Sequence, residues 1–416
     1  MGNYRPFSPE RLLQLLALLD RPAVSPAVSL DQFRQVRQEL SGSALELAGI
    51  LRLMADEPAL LSRLQERILP SILRHARALL TAGNTELRTH ELGCSARTVM
   101  GRAEVAGWLA HMALGTLPQP TPSHPRIDLA PLLSARWPAE LAKLRCVLAY
   151  FDHIAEETPP GRLTIERLVK AARPAENWAE DPSPLLPLTV HAEGAIEDAP
   201  GCRQVDFANC YLGGGVLSGG CVQEEIRFAV APELLVGMIV SPRMQPDEAI
   251  LLHGAERFTQ TRGYAQSLRY HGPFSDPCDR HVDGTPDIEL VAIDAVDYRC
   301  QDAAAQRTPA VILRELGKAS TGFLRDARGL PIASGNWGCG AFGGEPSLKA
   351  VIQWLAASAE GRALHYFSFA DLRVGDLAGF AQAVQKRELT VGALFRRLLA
   401  VCEYGDDRLY QRLLAQ

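Results

Sequence analysis

Residues 205–225 read VDFANCYLGGGVLSGGCVQEE, an apolar run followed by five glycines in eight positions and a polar end. We predict a strand at residues 204–207 and a loop at the glycines, where the backbone can approach a ligand because no Cβ obstructs it. The alternative for the glycines alone is a flexible surface loop. The stretch lacks the Gly-x-Gly-x-x-Gly pattern that opens a helix in dinucleotide-binding proteins, which excludes a dehydrogenase of that type.

Around this stretch, short β-rich runs alternate with helical patterns from about residue 139 onward. The other predicted strands are Leu188–His191, 249–253, 289–293 and Leu364–Phe367, and the predicted helices cover about 139–156, 308–323, 345–360, 373–387 and 391–402. Strands that alternate with helices favour a mostly parallel or mixed sheet with helices on both faces. In such sheets the ligands lie beyond the strand ends, next to glycine-rich loops.

The N-terminal part is predicted to be helical from residue 8 to about residue 115. Ser8-Pro9-Glu10 is typical of a helix start. An apolar stripe follows at Leu12, Leu13, Leu15, Leu16, Leu18 and Leu19. Prolines at 118, 120, 122 and 125 form a linker-like stretch. We therefore expect a helical accessory domain at residues 1–130 and an α/β domain at residues 131–416.

The composition indicates a soluble globular protein, with 47% hydrophobic and 22% charged residues. A net charge of −5 argues against a protein held to nucleic acid by a basic surface, but backbone N–H groups can still hold an anionic ligand. Nine cysteines without a Cys-x-x-Cys pair indicate reduced intracellular thiols and no structural zinc site. Without a signal-peptide or membrane-spanning run, we expect a cytoplasmic protein, or a nuclear one in a host with a nucleus.

The end of the quoted stretch, Gln223-Glu224-Glu225, is a candidate for acid/base chemistry. Adjacent residues have Cα atoms about 3.8 Å apart, and their side chains point in different directions. The two carboxylates therefore cannot face one anomeric carbon from opposite sides, as the glycosidase pair about 5 to 9.5 Å apart does. We expect one glutamate to transfer protons and the other to fix the substrate. The alternative is two exposed acids on a helix.

A second glycine-rich segment, residues 335–345, reads GNWGCGAFGGE and precedes a helical pattern. Glycines that lead into a helix N-terminus form an anion site from free N–H groups and the helix dipole. We predict that this segment holds a diphosphate. The alternative is a tight turn before a helix.

Together these motifs resemble the poly(ADP-ribose) glycohydrolase family, whose signature is similar to the Gly-Gly-Gly-x7-Gln-Glu-Glu run at 213–225. Further matching segments occur in family order, at 205–209, 225–228, 263–265, 291–295, 335–344 and 389–392. The resemblance covers roughly residues 143–403, and a weaker similarity occurs near 105–116. It implies a macrodomain-like three-layer α/β/α sandwich with a mixed sheet, preceded by the helical accessory domain.

The resemblance also implies roles for individual residues by position. Glu225 would be the general acid/base, and Glu224 its partner that contacts the ribose hydroxyls. Asn209 would hold the ribose whose anomeric carbon is attacked, and Asp206 would shape the wall of the pocket around this ribose. The implied substrate-binding residues in the signature and the two diphosphate loops are Gln223, Gly213, Gly214, Gly215, Asn336, Gly338, Cys339, Gly340, Ala341 and Phe342.

Four further residues are implied around the adenosine part of the substrate: Tyr264, Ile196, Glu197 and Phe369. Tyr264 would stack on the adenine, Ile196 and Glu197 would line its pocket, and Phe369 would pack against the distal ribose. For each aromatic the alternative is core packing. The chain departs from the family at Ala370, where Phe-Gly-Asp is usual, and the methyl group narrows that edge of the pocket or alters its backbone angles.

The implied activity is hydrolysis of the ribose–ribose O-glycosidic bond in poly(ADP-ribose), a reversal of ADP-ribosylation such as the DNA damage response requires. The implied partners are poly(ADP-ribose) and ADP-ribosylated proteins, with ADP-ribose as product. We expect no cofactor, no metal, no membrane and no sequence-specific nucleic acid. Two alternatives stay open: a module that binds ADP-ribose without cleavage, and a hydrolase of a smaller conjugate such as ADP-ribose on a protein side chain. The Gln-Glu-Glu run argues against the first, because a binding module needs no acid/base.

Overall fold

The computed structural model describes residues 3–8, 10–11, 14, 17, 29–42, 46–83, 85–299, 302–402 and 408–416. The predicted leucine stripe between Leu12 and Leu19 therefore lies outside the described residues. Within them the strands are β1 (Asn3–Tyr4), β2 (Leu87–Arg88), β3 (Ala96–Gly101), β4 (Arg162–Val169), β5 (Leu188–His191), β6 (Arg203–Ala208), β7 (Glu248–His253), β8 (Thr259–Arg262), β9 (Arg269–Pro273), β10 (Glu289–Asp294), β11 (Ile332–Gly335) and β12 (Leu364–Phe367).

The helices are distributed over the whole described chain. They are α1 (Leu30–Ser41), α2 (Ala48–Asp56), α3 (Leu60–Arg63), α4 (Leu69–Thr81), α5 (Arg102–Leu114), α6 (Ala130–Leu133), α7 (Pro138–His153), α8 (Ala175–Ala179), α9 (Gln223–Val230), α10 (Gly237–Val240), α11 (Pro309–Gly322), α12 (Pro346–Ala359), α13 (Leu377–Lys386), α14 (Val391–Val401) and α15 (Leu409–Ala415). A π-helical segment, Leu64–Ile68, joins α3 to α4. In the part of the chain that the structure describes, no helix has the length and apolarity that crossing a bilayer requires.

One mixed sheet of eight strands organises the molecule, in the order β3-β4-β7-β10-β6-β11-β12-β5. The five strands from β10 to β5 in that order run parallel, whereas β7 is antiparallel to β10 and the β3–β4 pair is antiparallel. The carboxyl ends of the five parallel strands therefore meet at one edge of the sheet, which we call the carboxyl edge. Their starts define the amino edge.

The two faces of the sheet are covered by different helices. Leu290 and Ala292 of β10 belong to a core with α4, α5 and α7. Val291 and Ile293, which alternate with them, belong to a second core with α11 and α12. All six residues of β10 are buried, as expected for a central strand between two helical layers. The three-layer arrangement and the mixed sheet confirm the predicted fold class.

The five predicted strands are confirmed, and Leu188–His191 and Leu364–Phe367 agree to the residue. Four strands of the α/β part were not expected. The β8–β9 hairpin is largely polar and exposed, β11 carries small residues and β4 contains three charged ones, so each lacks the pattern that marks a strand. The predicted helix at 373–387 begins at Leu377, after a short 3-10 turn.

The prediction that residues 8 to about 115 are helical is wrong at Leu87–Arg88 and Ala96–Gly101, which are strands. Only Met100 of β3 is buried, so β3 lacks the apolar alternation of a typical strand. It is held instead by antiparallel pairing with β4. The edge strand of the sheet therefore comes from the N-terminal part, and one hydrophobic core joins that part to the sheet. The division into domains at residue 130 stays a prediction.

Candidate active site

The predicted site residues are brought together at the carboxyl edge. Asn209 follows β6, Asn336 follows β11 and Phe369 lies just beyond β12. The turn Ile196–Asp198 lies on the segment that follows β5. Ligands of α/β sheets bind at this edge because the loops that follow parallel strands converge there.

Gln223 fixes helix α9 against strand β6. Its Oε1 accepts the N–H of Phe207 at 2.8 Å, and its Nε2 donates to the carbonyl of Val205 at 3.1 Å. Pairing between β6 and β11 is limited to Arg203 and Gln204 of β6, so the amide of Gln223 takes the place of a neighbouring strand. Both the oxygen and the nitrogen of the amide thus form hydrogen bonds to the backbone. Gln223 is therefore a residue that positions α9 at the site.

The Glu224 carboxylate is held by the backbone that follows β6. Its Oε2 accepts the N–H of Asn209 at 2.8 Å, and its Oε1 accepts the N–H of Gly213 at 2.7 Å. The side chain amide of Asn209 faces this region with its Oδ1 accepting the N–H of Tyr211 at 3.0 Å. Its Nδ2 has no partner among the described residues, so this donor remains available to a ligand.

The Glu225 carboxylate is bound in the same way, one residue along the helix. Its Oε1 accepts the N–H of Gly215 at 2.9 Å, and its Oε2 accepts the N–H of Val222 at 2.9 Å. The residue is 7% exposed. Both glutamates lie in the first turn of α9, where the positive end of the helix dipole favours carboxylates. The alternative of two exposed acids on a helix is therefore wrong.

The N–H groups of the first glycine loop are already used inside the protein. Gly213 donates to Glu224, Gly215 donates to Glu225, and Gly214 donates to the carbonyl of Tyr211 at 3.0 Å. These three glycines therefore offer no free amide to a phosphate in this arrangement. They instead allow other groups to approach the loop backbone closely. Gly213 and Gly214 also have φ of +84° and +50°, in the left-handed region that favours glycine.

Lys143 of α7 supports this loop and was not identified from the sequence. Its Nζ donates to the carbonyl of Ser218 at 2.6 Å and of Gly215 at 3.2 Å, and also to that of Gly220. Burial lowers the pKa of Lys143 to about 8, against the raising effect of the nearby Glu225 charge. The available signal was a lysine within a helix that is otherwise mostly apolar, where a charge needs a partner.

Three carboxyl groups crowd together here, those of Asp206, Glu224 and Glu225. Asp206 is fully buried, and neither of its oxygens makes a hydrogen bond among the described residues. Burial and the charge of Glu225 raise the pKa of Asp206 well above its usual value. Burial, Asp206 and Glu225 likewise raise the pKa of Glu224, against its two backbone donors. Burial and the proximity of the other carboxyls thus favour the protonated forms of Asp206 and Glu224.

The second glycine-rich loop differs from the first in having free donors. Among the described residues, no acceptor is found for the backbone N–H groups of Gly338, Gly340, Ala341 and Phe342. The loop is anchored by Trp337, whose Nε1 donates to the carbonyl of Ile293 at 2.9 Å. Cys339 is buried and its Sγ lies 3.3 Å from the carbonyl of Trp337. Burial raises the pKa of the Cys339 thiol, so it is neutral.

Asn336 begins this loop and fixes it to the neighbouring strand. Its Oδ1 accepts the hydroxyl of Tyr366 at 2.8 Å, and its Nδ2 donates to the carbonyl of Ser368 at 3.1 Å. The polar atoms of the side chain are therefore hydrogen-bonded within the protein, and Asn336 sets the spacing between the loops after β11 and β12.

Phe369 lies beside Gly335, where a Cβ atom would be 3.2 Å from its ring. Phe369 and Ala370 both have left-handed backbone conformations, with φ of +53° and +55°. The left-handed conformation of Ala370 carries a steric cost that glycine avoids. Phe369 is 47% exposed, so core packing does not account for it.

Tyr264 is also outside the core, at 55% exposure. The N–H of Ala265 donates to the carbonyl of Cys221 at 3.0 Å, which places the tyrosine turn next to the start of α9. Ile196, by contrast, is buried in a small core with Cys202, Ala333 and Phe367. The carbonyl of Glu197 accepts from the side chain of Gln204 at 3.3 Å. These contacts place the turn against the first residues of β6 and β11, where Ile196 is a packing residue.

Comparison with known protein families adds two matches. The profile described as poly(ADP-ribose) glycohydrolase, helical domain, matches residues 58–167. The profile described as poly(ADP-ribose) glycohydrolase, macro domain fold, matches residues 175–376. The two adjoining matches together include α7, α9 and both glycine-rich loops.

Individual relatives are similar over the same region. Poly(ADP-ribose) glycohydrolase 1 of Arabidopsis thaliana is 34% identical in an alignment 342 residues long that covers 65% of this chain and 61% of the relative. Poly(ADP-ribose) glycohydrolase 1 of Caenorhabditis elegans is 36% identical in an alignment 271 residues long that covers 61% of this chain and 34% of the relative. The chain thus spans less than two thirds of the length of these relatives.

Proposed function

Because the chain belongs to the poly(ADP-ribose) glycohydrolase family, we propose that it hydrolyses ribose–ribose O-glycosidic bonds of poly(ADP-ribose) and releases ADP-ribose. Its partners are poly(ADP-ribose) and ADP-ribosylated proteins. The observation that carries the proposal is the pair of carboxylates at the start of α9, Glu224 and Glu225, each oriented by two backbone N–H groups.

In the proposed mechanism, Glu225 is the general acid and then the general base. Its proton moves to the 2′-oxygen of the leaving ribose while the bond from that oxygen to the anomeric carbon breaks. The oxocarbenium-like centre that develops is then attacked by water, and the Glu225 carboxylate accepts the proton of that water. The substrate's own diphosphate stabilises the positive charge, so no second carboxylate on the opposite face is required.

The carboxyl cluster supplies the proton for this step. The raised pKa values of Asp206 and Glu224 mean that the cluster binds protons at a pH where isolated carboxyls are ionised. We assign the proton transfer to Glu225 because it is the more exposed of the two helix glutamates, at 7% against 2% for Glu224. No metal takes part in this scheme.

The neighbouring groups hold the substrate. Each oxygen of Glu224 accepts one backbone N–H, and a carboxylate oxygen has two lone pairs, so each oxygen can accept a ribose hydroxyl as well. The free N–H groups of the loop at 338–342 bind the diphosphate. The loop at Gly213, Gly214 and Gly215 lines the site by close approach. Tyr264 and Phe369 are exposed and stack on the adenine and the distal ribose.

The test is release of ADP-ribose from purified poly(ADP-ribose) by the full chain and by Glu225→Gln. We expect turnover in the wild type and a loss of about 10²- to 10⁴-fold in the variant, as for removal of a general acid/base. Glu176→Gln changes an exposed glutamate of α8 and is the matched control.

Each other outcome has a defined meaning. Near-normal turnover by Glu225→Gln would reject Glu225 as the acid/base. Binding of ADP-ribose without product from either protein would favour a binding module. Release of ADP-ribose from mono-modified protein, with polymer left intact, would assign the smaller conjugate as the substrate.

A further inference from the structure

Three potential metal ligands lie together at the amino edge of the sheet, remote from the carboxyl edge. His253 ends β7 and pairs with Glu289, the first residue of β10. Asp287 lies two residues before β10, and His281 lies on the preceding segment. Because β7 runs antiparallel to β10, its end is at the starts of the parallel strands. The cluster is therefore separate from the candidate active site and does not depend on the proposed function.

The distances within the cluster suit a small metal ion. His281 Nε2 lies 3.4 Å from Asp287 Oδ1, and His253 Nε2 lies 3.7 Å from the same oxygen. One ligand atom of each residue lies within 4.8 Å of the other two. Around a tetrahedral zinc with bonds of about 2.0 to 2.2 Å, ligand atoms are roughly 3.3 to 3.6 Å apart. Two separations are thus close to this geometry, and the third, which is at most 4.8 Å, must shorten when an ion binds.

A second observation points to a ligand at this place. The Nε2 atom of His253 is buried and makes no hydrogen bond to any described residue. A buried polar atom without a hydrogen bond is unfavourable, because the hydrogen bond to water that it lost on burial is not replaced. A metal ion between His253, His281 and Asp287 satisfies this nitrogen.

The carboxylate of Asp287 is already oriented by its surroundings. Arg328 donates to Oδ1 at 2.7 Å and to Oδ2 at 2.9 Å. Carboxylate oxygens have lone pairs for both an arginine and a metal, and metal-binding carboxylates are usually held by such an outer partner. Arg328 also donates to Glu289 at 2.8 Å, so part of its positive charge is balanced by a second acid.

His281 is presented to the cluster by a tight hairpin. Arg280 and Pro286 form a β-bridge at its base. The N–H of His281 donates to the carbonyl of Thr285 at 2.9 Å, and the N–H of Gly284 donates back to His281 at 2.9 Å. A groove of about 830 Å³ opens beside the hairpin, lined among others by Arg162 and Thr164 of β4. The groove also borders His253 and His281 themselves, so a fourth ligand can reach an ion held there.

We propose that His253, His281 and Asp287 bind one zinc ion, with water from the groove as the fourth ligand. Two imidazoles and one carboxylate favour zinc over magnesium or calcium, which prefer oxygen ligands alone. The ion ties the hairpin at 280–286 to the amino edge. Cysteine and histidine spacing had predicted no metal site, because these ligands are brought together from separate segments by the fold.

The experiment uses the full chain after removal of metal with EDTA. ZnCl₂ is titrated by isothermal calorimetry, CoCl₂ is titrated by visible absorption, and the melting temperature is measured with and without zinc. We expect one zinc per chain, tetrahedral cobalt absorption and a higher melting temperature with zinc, since a ligand that binds the folded state stabilises it.

The variant His281→Ala tests the site directly, because the side chain is 46% exposed on the hairpin and its loss leaves the core intact. We expect zinc affinity to fall by more than the roughly 10- to 100-fold that loss of an outer partner causes. His271→Ala, an exposed histidine on β9, is expected to bind as the wild type does. Absence of zinc binding by the wild type, or equal binding by His281→Ala, overturns the proposal.

Discussion

The backbone N–H of Gly215 donates to Oε1 of Glu225 at 2.9 Å, which ties the glycine-rich loop to the first turn of α9. There is little space around this bond. A Cβ atom at Gly214 would lie 2.5 Å from the same oxygen, and one at Gly220 would lie 2.6 Å from it. The glycines are therefore needed for contact with the carboxylate itself, in addition to any contact with a ligand.

Gly214→Ala is expected to displace Glu225 and to strain a backbone position with φ of +50°. We expect a loss of roughly 10²-fold in kcat/KM, as a misplacement of about 1 Å produces, and destabilisation by about 1 to 3 kcal/mol from overpacking. Turnover of poly(ADP-ribose) and urea unfolding measure the two effects. The control is Gly379→Ala on α13, where a Cβ meets nothing within 4 Å; normal turnover by Gly214→Ala would contradict the interpretation.

Lys143→Met is expected to release the loop, because the Nζ atom loses its bonds to the carbonyls of Gly215, Ser218 and Gly220. We expect kcat to fall by roughly 10²-fold through misplacement of Glu225. Turnover of poly(ADP-ribose) measures this loss. Lys386→Met, at an exposed lysine of α13, is the control; unchanged kcat in Lys143→Met would show that the loop keeps its position without the lysine.

Asp206→Asn is expected to lower activity and to change how stability depends on pH. The pKa of Asp206 is raised mainly by burial, so the folded protein holds this proton more tightly than the unfolded chain does. As pH rises above about 4, the unfolded chain releases the proton first. The free energy of unfolding then falls until the pH reaches the pKa of Asp206 in the folded protein. The asparagine variant lacks this loss.

Urea unfolding of the wild type and of Asp206→Asn between pH 4 and pH 8 measures this effect. Relative to the wild type, the variant should gain stability with increasing pH. Asp376→Asn, at an exposed aspartate, should run parallel to the wild type. A constant difference between wild type and Asp206→Asn over this range would show that the carboxyl is already ionised in the folded protein.

Ala370→Gly is expected to stabilise the protein. The left-handed conformation at φ of +55° costs alanine about 1 to 2 kcal/mol, whereas the extra freedom of glycine in the unfolded chain costs about 0.4 to 1 kcal/mol. The net gain of roughly 0.5 to 1 kcal/mol is measured by urea unfolding. The same substitution at Ala383 within α13 should destabilise by about 1 kcal/mol, and equal effects at both positions would contradict the argument.

Local pattern was sufficient for much of the fold and for the identity of the candidate site. The strands Leu188–His191 and Leu364–Phe367 were predicted to the residue, because β-branched and aromatic residues in short runs are a local signal. Glu224 and Glu225 were identified together with both glycine loops for the same reason, since each motif lies within a short continuous segment. Strand β3 could not be found in this way, because it has only one buried residue and depends on pairing with β4.

Which residues each polar or charged side chain and backbone N–H group contacts could be learned only from the tertiary structure. Lys143 contacts a loop more than 70 residues away. The N–H groups of Gly213, Gly214 and Gly215 donate within the protein, whereas four in the second loop have no acceptor among the residues that the structure describes. His253, His281 and Asp287 likewise meet only at the amino edge. Residue type and spacing specify which groups a segment carries. Which of those groups are buried, paired or free depends on packing between distant segments.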